Sequence, residues 1–301
     1  MNHPTLAELG ARPDGGVEQR LPCPRCAAPF VDDALAVNIE TGAFCCFRCC
    51  WIGRAEPAEM NGRPLSRIEE ALGSMRKIWS ATAPLDANTT GAKAALNYLE
   101  SRGLGAVLRK RPASLRASSG LSYLDEERRR VGVFPALVAV VTESGGNPVT
   151  LHRTYLRPDG TDLAPVPRPR LMLLAPITER RTAARAARGI AAGCAVRLFP
   201  AGRVLGIAGS IENALALAVT RGIPAWAAVA GSDPDDPRPL SAFFLPPFVR
   251  EIHVAVEASE SSRTGARWLL ERLLGWRDPP RVILIPPKAG AVDLCDELVR
   301  R

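Results

Sequence analysis

The chain has 301 residues, 47% of them hydrophobic, and 39 Lys and Arg against 31 Asp and Glu give it a net charge of +8. That length accommodates two or three units with their own cores, and the apolar content excludes a largely disordered chain. No uncharged run reaches the roughly 18 residues of a membrane span and the opening MNHPTLAELGARPDGG has no signal-peptide core, so no membrane partner and a cytoplasmic location are expected.

The first element in chain order is a cysteine cluster. Six of the eight cysteines fall in residues 23–50, where Cys23-x2-Cys26 and Cys46-x2-Cys49 are separated by nineteen residues. This is the spacing of a four-thiolate zinc ribbon, in which each pair forms a turn that aims two sulfurs at one ion. Between the pairs, ALAVNI and GAFCCF alternate as the strands of a hairpin. Zinc then substitutes for the core that so small a unit lacks. Cys45 and Cys50 would break the x2 spacing; Cys194 and Cys295 stand alone in apolar segments and read as packed thiols. The ribbon is expected over residues 18–56.

RAEPAEMNGRP reads as a linker, and a helical spacer follows over 57–106. Within it SRIEEALGSMRKIWSA places Ile68, Ala71, Met75, Ile78 and Trp79 at helical spacing; TTGAKAALNYLESRGL starts at a Thr cap and stops at Gly103, with Tyr98 expected in the core. Over 107–200 the pattern turns to strands. LRKRPASLR and EERRRVG are densely basic, and PALVAVVTESGGNPVTLHRTYLRPDG gives two alternating runs joined at Gly-Gly-Asn and closed by Arg-Pro-Asp-Gly. The excess charge is mostly arginine, which suits bidentate contacts to phosphate, so nucleic acid is a fitting partner. TERRTAARAARGIAAG is compatible with a basic helix or with a loop.

Residues 201–301 alternate strands (RVLGIAG, IPAWAAVAG, EIHVAVEAS, RVILIPP) with helices (SIENALALAVTRG, TGARWLLERLLGW, AVDLCDELVRR). This order predicts a parallel sheet with helices on both faces. The second helix should bury a stripe of Ala266, Leu269, Leu270, Leu273 and Leu274, with Arg267 and Glu271 pairing across one turn. The fold class is therefore α/β and multi-domain: a small zinc-ribbon β unit, a mixed α+β middle and a C-terminal parallel sheet.

DDALAVNIETGAFCCFRCCWIG resembles the N-terminal zinc ribbon of phage and plasmid primases, with its alternating strand, Thr-Gly turn and Cys-Phe-x-Cys-x-Trp-x-Gly. LHRTYLRPDG and PRPRLML resemble the middle region of such proteins, which implies that Arg153 and Arg170 contact template or nucleotide phosphates. GSIENALALA and VAVEASESSRTGARWLLERL resemble the Toprim domain of bacterial-type primases and topoisomerases, whose first strand ends in Glu-Gly and a later one in Asp-x-Asp, acids that hold magnesium for phosphoryl transfer. Here Gly209 and Ser210 stand for the Glu-Gly, and Glu257 and Ser259 for the two aspartates, so one of three carboxylates survives.

The resemblance implies a primase-family protein of a phage, plasmid or integrated element. It would bind single-stranded DNA and, if active, join ribonucleotides with magnesium. Candidate catalytic residues are Glu257, Glu212 and Asp293; candidate magnesium ligands are Glu257 and Glu260; the zinc ligands are Cys23, Cys26, Cys46 and Cys49. Glu212 is also explained without any metal, by the dipole of the helix it opens. The chain contains no Gly-x4-Gly-Lys-Ser/Thr loop, so a separate helicase is the expected partner. Two rival readings stay open. One is a catalytically degenerate relative acting as a DNA-binding or recruiting factor; the other is a recombination mediator with a zinc site and a non-catalytic Toprim domain, ranked last because residues 57–200 separate the two parts.

Overall fold

The computed structural model describes residues 4–12, 18–25, 34–46, 51–55, 73–106, 112–127, 129–142, 146, 148–173, 194–229 and 237–300. The chain divides into two compact units, residues 1–71 with 175–192, and residues 72–174 with 193–301. The second unit thus takes in most of the spacer together with the strand module and the parallel sheet. TERRTAARAARGIAAG, Ile68 and Ala71 lie outside the described residues.

In the first unit four short strands, β1 (Glu18–Leu21), β2 (Leu35–Asn38), β3 (Ala43–Cys46) and β4 (Ile52–Arg54), form an antiparallel sheet in sequence order. Alternation carries Leu35 and Val37 of β2 and Phe44 and Cys46 of β3 inward, where they join Leu6, Leu9 and Cys23 in one small core. Asn38 Oδ1 accepts the N–H groups of Glu40 and Thr41 and starts the β2–β3 turn. Gly42 completes it at φ 67, where an added Cβ would lie 2.4 Å from the Ala55 carbonyl oxygen. Only glycine fits that left-handed, crowded position.

The second unit holds two five-stranded sheets. One is antiparallel, in the order β5 (Ala83–Pro84), β6 (Leu115–Leu124), β7 (Arg130–Thr142), β8 (Pro148–Tyr155), β9 (Arg170–Met172). Residues 73–80 form a helix, α1, and Met75, Ile78 and Trp79 pack on a core of Tyr123, Val138, Leu151 and Tyr155. Helix α2 (Thr90–Ser101) opens on Thr89, whose hydroxyl accepts the Ala92 N–H, and closes at Gly103, which takes φ 73 while Leu104 N–H returns to the Leu99 carbonyl. Gly91 of α2 touches Ser118 of β6 so closely that a Cβ would fall 2.4 Å from backbone atoms, which seats the helix on the sheet.

The other sheet runs β10 (Val196–Arg197), β12 (Ala225–Ala227), β11 (Val204–Ala208), β13 (Glu251–Ala255), β14 (Arg281–Ile285), all parallel except β10. Leu205 and Ile207 lie opposite Ile252 and Val254, and these four face Ala266, Leu269 and Leu273 of a long helix, Glu260–Leu274. On the other face Gly206 is approached by Leu217 of the helix Ile211–Arg221, labelled α3 below. Helices therefore cover both faces. The buried stripe is narrower than expected: Leu270 is half-buried and Leu274, in the last helical position, is 65% exposed. Arg267 and Glu271 do approach, at 4.0 Å. Among the described residues no helix is long and apolar enough to cross a membrane.

Candidate functional site

Strands β11 and β13 are parallel neighbours, so the residues that follow them emerge at the same sheet edge. Gly209 and Glu257 consequently meet, and an added Cβ on Gly209 would stand 3.9 Å from Glu257 Oε1. Ser259 follows Glu257 in the same connection and caps the next helix, its hydroxyl accepting the Ser262 N–H at 3.3 Å. Helix α3 starts at this edge on Ser210, whose hydroxyl accepts the Asn213 N–H at 3.2 Å.

Asn213 ties the edge together. Its Nδ2 donates to Glu257 Oε1 at 2.7 Å and its Oδ1 accepts the N–H of Leu294 at 3.2 Å. Leu294 opens the last helix, Leu294–Val299, which Asp293 caps by accepting the Asp296 N–H at 2.7 Å. Asp293 Oδ2 also receives Arg102 Nη2 from the turn after α2, at 3.3 Å. Burial raises the Glu257 carboxyl above the ordinary carboxylate range; the Asn213 bond opposes this, and the nearby Asp293 and Glu212 add to it. Burial likewise raises the Cys295 thiol, with Asp293 and Glu212 reinforcing it, so Cys295 stays protonated.

Glu212 has a different environment. Its side chain is 5% exposed and Oε1 accepts three hydrogen bonds: from Tyr98 Oη at 2.7 Å, Arg170 Nη2 at 2.8 Å and Arg170 Nε at 3.2 Å. Arg170 Nη2 also donates to the Tyr98 oxygen at 3.0 Å. Burial pushes the Glu212 carboxyl up, but the Arg170 charge and the bonds from Tyr98 and Arg170 outweigh it and hold the group down at about 2. Tyr98 moves the opposite way, raised by burial and by the adjacent carboxylate. His152 of β8 is fully enclosed nearby, across from Met172, and its Nδ1 has no hydrogen-bond partner. Burial lowers it to about 4, so the ring is neutral near pH 7.

Glu212, Glu257 and Asp293 are thus brought to one region, but each carboxylate already has a task. Glu260 is not brought there: it is exposed in a first helical turn, 3.4 Å from Arg263. Among the described residues no three His, Cys, Asp or Glu side chains converge as a metal site. Arg153 and Arg170, expected to meet phosphate, both bond to groups of the chain itself, Arg170 with 41% of its side chain still in solvent. Arg153 donates to the Tyr155 hydroxyl at 3.1 Å and the Met172 carbonyl at 2.9 Å, while Arg170 neutralises Glu212. Of the thiolates, Cys23 and Cys46 are wholly buried in one core, and Cys26 and Cys49 lie outside the described residues. Sequence reading missed Asn213, Arg102, His152 and the polar task of Tyr98. The one available signal was the i, i+4 placement of Tyr98 and Arg102 near the end of α2.

Residues 69–197 match the family model described as "Domain of unknown function (DUF7146)". None of the curated proteins matches the chain. Solved structures similar to it include a DNA primase domain from Pseudomonas aeruginosa, at TM-score 0.47 and 15% identity, covering 78% of this chain and 74% of that one. The primase fragment of the bacteriophage T7 primase-helicase protein aligns at TM-score 0.40 and 12% identity over 92% and 93% of the two chains. The Aquifex aeolicus primase, with its zinc-binding and RNA polymerase domains, aligns at TM-score 0.40 and 12% identity over 95% and 76%. Similarity at this level assigns no residue a role.

Proposed function

We propose that this chain is a primase-like single-stranded DNA-binding protein of a phage, plasmid or integrated element, whose Toprim-like edge serves as a scaffold instead of assembling a metal cluster. The observation that carries this reading is the pairing of Glu212 with Arg170. A buried carboxylate that already receives a guanidinium and a phenol has little to gain from a divalent ion, which would have to displace both. Magnesium bound by three acids therefore does not fit this edge.

In the other unit the cysteine spacing supports a zinc site. Cys23 and Cys46 are buried in the same small apolar core, and with Cys26 and Cys49 they would supply the soft thiolate set that zinc takes. Bound there, the ion supplies folding free energy and no chemistry.

A second reading is supported by one arrangement. Glu257 and Asp293 flank Asn213, and magnesium can be held by two carboxylates with substrate phosphates. In that reading ribonucleotides are joined on the template, and a separate helicase delivers it. Primer synthesis on a single-stranded template separates the two. The first reading expects salt-sensitive binding, with log affinity falling linearly against log salt, and no product. Product that disappears in Glu257→Gln would establish the second. A variant carrying Gly209→Glu and Ser259→Asp is expected to gain synthesis if only the acids are wanting.

A further inference from the structure

The strands of the parallel sheet lead at their carboxyl ends to Glu257 and Asp293, and their amino ends carry the opposite charge. Arg203 precedes β11, Arg250 precedes β13 and Arg281 opens β14. Main-chain bonds set these three side by side: the Arg203 carbonyl accepts the Arg250 N–H and the Arg250 carbonyl accepts the Arg281 N–H, each at 2.8 Å. Adjacent strands lie about 4.8 Å apart, so the row crosses about 10 Å of the sheet. Two further arginines arrive because a helix returning between parallel strands finishes where the next strand starts. Arg221 closes α3 just before β12, and Arg277 follows helix Glu260–Leu274 just before β14. The Pro224 carbonyl accepts the Gly206 N–H, and an added Cβ on Gly202 would stand 3.9 Å from Pro224, which keeps the turn after Arg221 beside the chain that enters β11.

All five arginines are exposed. The acids in the same stretches are Glu251 and Asp278, and Glu251 is already engaged by His253 at 2.7 Å and Arg281 at 3.4 Å. Arg250 donates to the Pro247 carbonyl, and among the described residues no carboxylate forms an ion pair with Arg203, Arg221, Arg250 or Arg277. The helix dipole accounts for Arg221 in the last turn of α3, but not for arginines that stand before strands.

We propose that the amino ends of these strands form a track for the phosphates of single-stranded DNA. This deepens the DNA-binding reading above and rests on it. Each cation of the track is an arginine, whose planar fork takes two phosphate oxygens at once. The row is fixed by the sheet, so several phosphates of one strand can be met without ordering a loop. Phe248, two residues before Arg250, is 52% exposed and offers a base an aromatic face; an acidic peptide would use the charges and leave that ring in water.

The test follows binding of the full chain to a fluorescein-labelled oligothymidylate by anisotropy across a salt series. Arg203→Gln with Arg250→Gln removes two phosphate contacts; affinity should fall about tenfold and the slope of log affinity against log salt should lessen by about 1.4. Both side chains are exposed, so an unchanged melting temperature is expected. Arg263→Gln with Arg267→Gln removes the same charge from exposed positions of helix Glu260–Leu274 and should leave the slope as it was. Phe248→Ala should weaken binding several-fold with the slope intact. Equal effects of the two double variants would overturn the track while leaving the protein a DNA binder. Polyglutamate of matching charge that binds as tightly as the oligonucleotide, with the same loss in Arg203→Gln with Arg250→Gln, would replace DNA by an acidic polypeptide. Failure of the parent protein to bind the strand at low salt would overturn both the track and the reading it rests on.

Discussion

The four-stranded sheet of the first unit and the parallel sheet of the second resolve opposite shortages. Among the described residues the small sheet gathers a core of nine, two of them cysteines, a size at which a unit commonly needs further support. The parallel sheet has a complete core on both faces, and its difficulty is a buried anion, Glu212. The anion is met by Arg170 from the antiparallel sheet of the same unit, whereas under the proposal above the first unit would rely on zinc. The contrast teaches that a buried charge need not mark a metal site: the partner can be a side chain from a strand 42 residues earlier.

This contrast breaks most visibly at Cys46. Cys46→Ser should abolish zinc binding and unfold residues 18–55, with hydrogen exchange in β11 and β13 unchanged; retained zinc stoichiometry would reject the ligand set. Next in size is Arg170→Met, which strands the Glu212 carboxylate. Because Arg170 keeps 41% of its side chain in solvent, the expected loss is about 3 kcal/mol, the low end for a buried pair, and denaturant titration measures it. Adding Glu212→Gln should restore most of that stability. If the double variant is as weak as the single one, the pair is not the source of the cost.

Acid titration sharpens the comparison within the second unit. His152 has its folded value lowered from 6.5 to about 4, so the folded state binds fewer protons than the unfolded chain in that window. Stability should fall as pH drops from 6.5 towards 4, by up to about 1.4 kcal/mol per pH unit, and His152→Phe should flatten the slope. Glu212 is lowered from 4.5 to about 2, so its contribution is complete above pH 4.5 and is lost only below it. The two windows meet near pH 4, and the variants separate them. The smallest effect belongs to Arg267→Ala. Its pairing with Glu271 is exposed on both sides, so no measurable change in melting temperature is expected.

Periodicity made the parallel sheet legible, because Leu205, Ile207, Ile252 and Val254 repeat every second residue between helices that repeat every three or four. Strands of two or three residues, such as β9 and β10, left no period to find. The buried stripe of helix Glu260–Leu274 was read too far, since Leu274 fits its spacing in sequence but lies beside solvent, and the helix itself starts four residues before TGARWLLERLLGW and ends two before its last residue. The arginines show the deeper limit. Composition announced their charge, and resemblance suggested phosphate, but neither reveals that Arg170 meets Glu212 or that Arg153 meets Tyr155. Partnership between distant residues is a property of the fold alone.

Asn213 sets a constraint of its own. Leu294 presents an N–H, so the amide oxygen must face it and the amide nitrogen must face Glu257. Few side chains are directional in this way, giving a proton at one end and taking one at the other. Aspartate would keep the contact to Leu294 and set two anions face to face; leucine would orphan both neighbours. One side chain thus couples the end of β13 to the start of the last helix, so the two segments shift together or not at all.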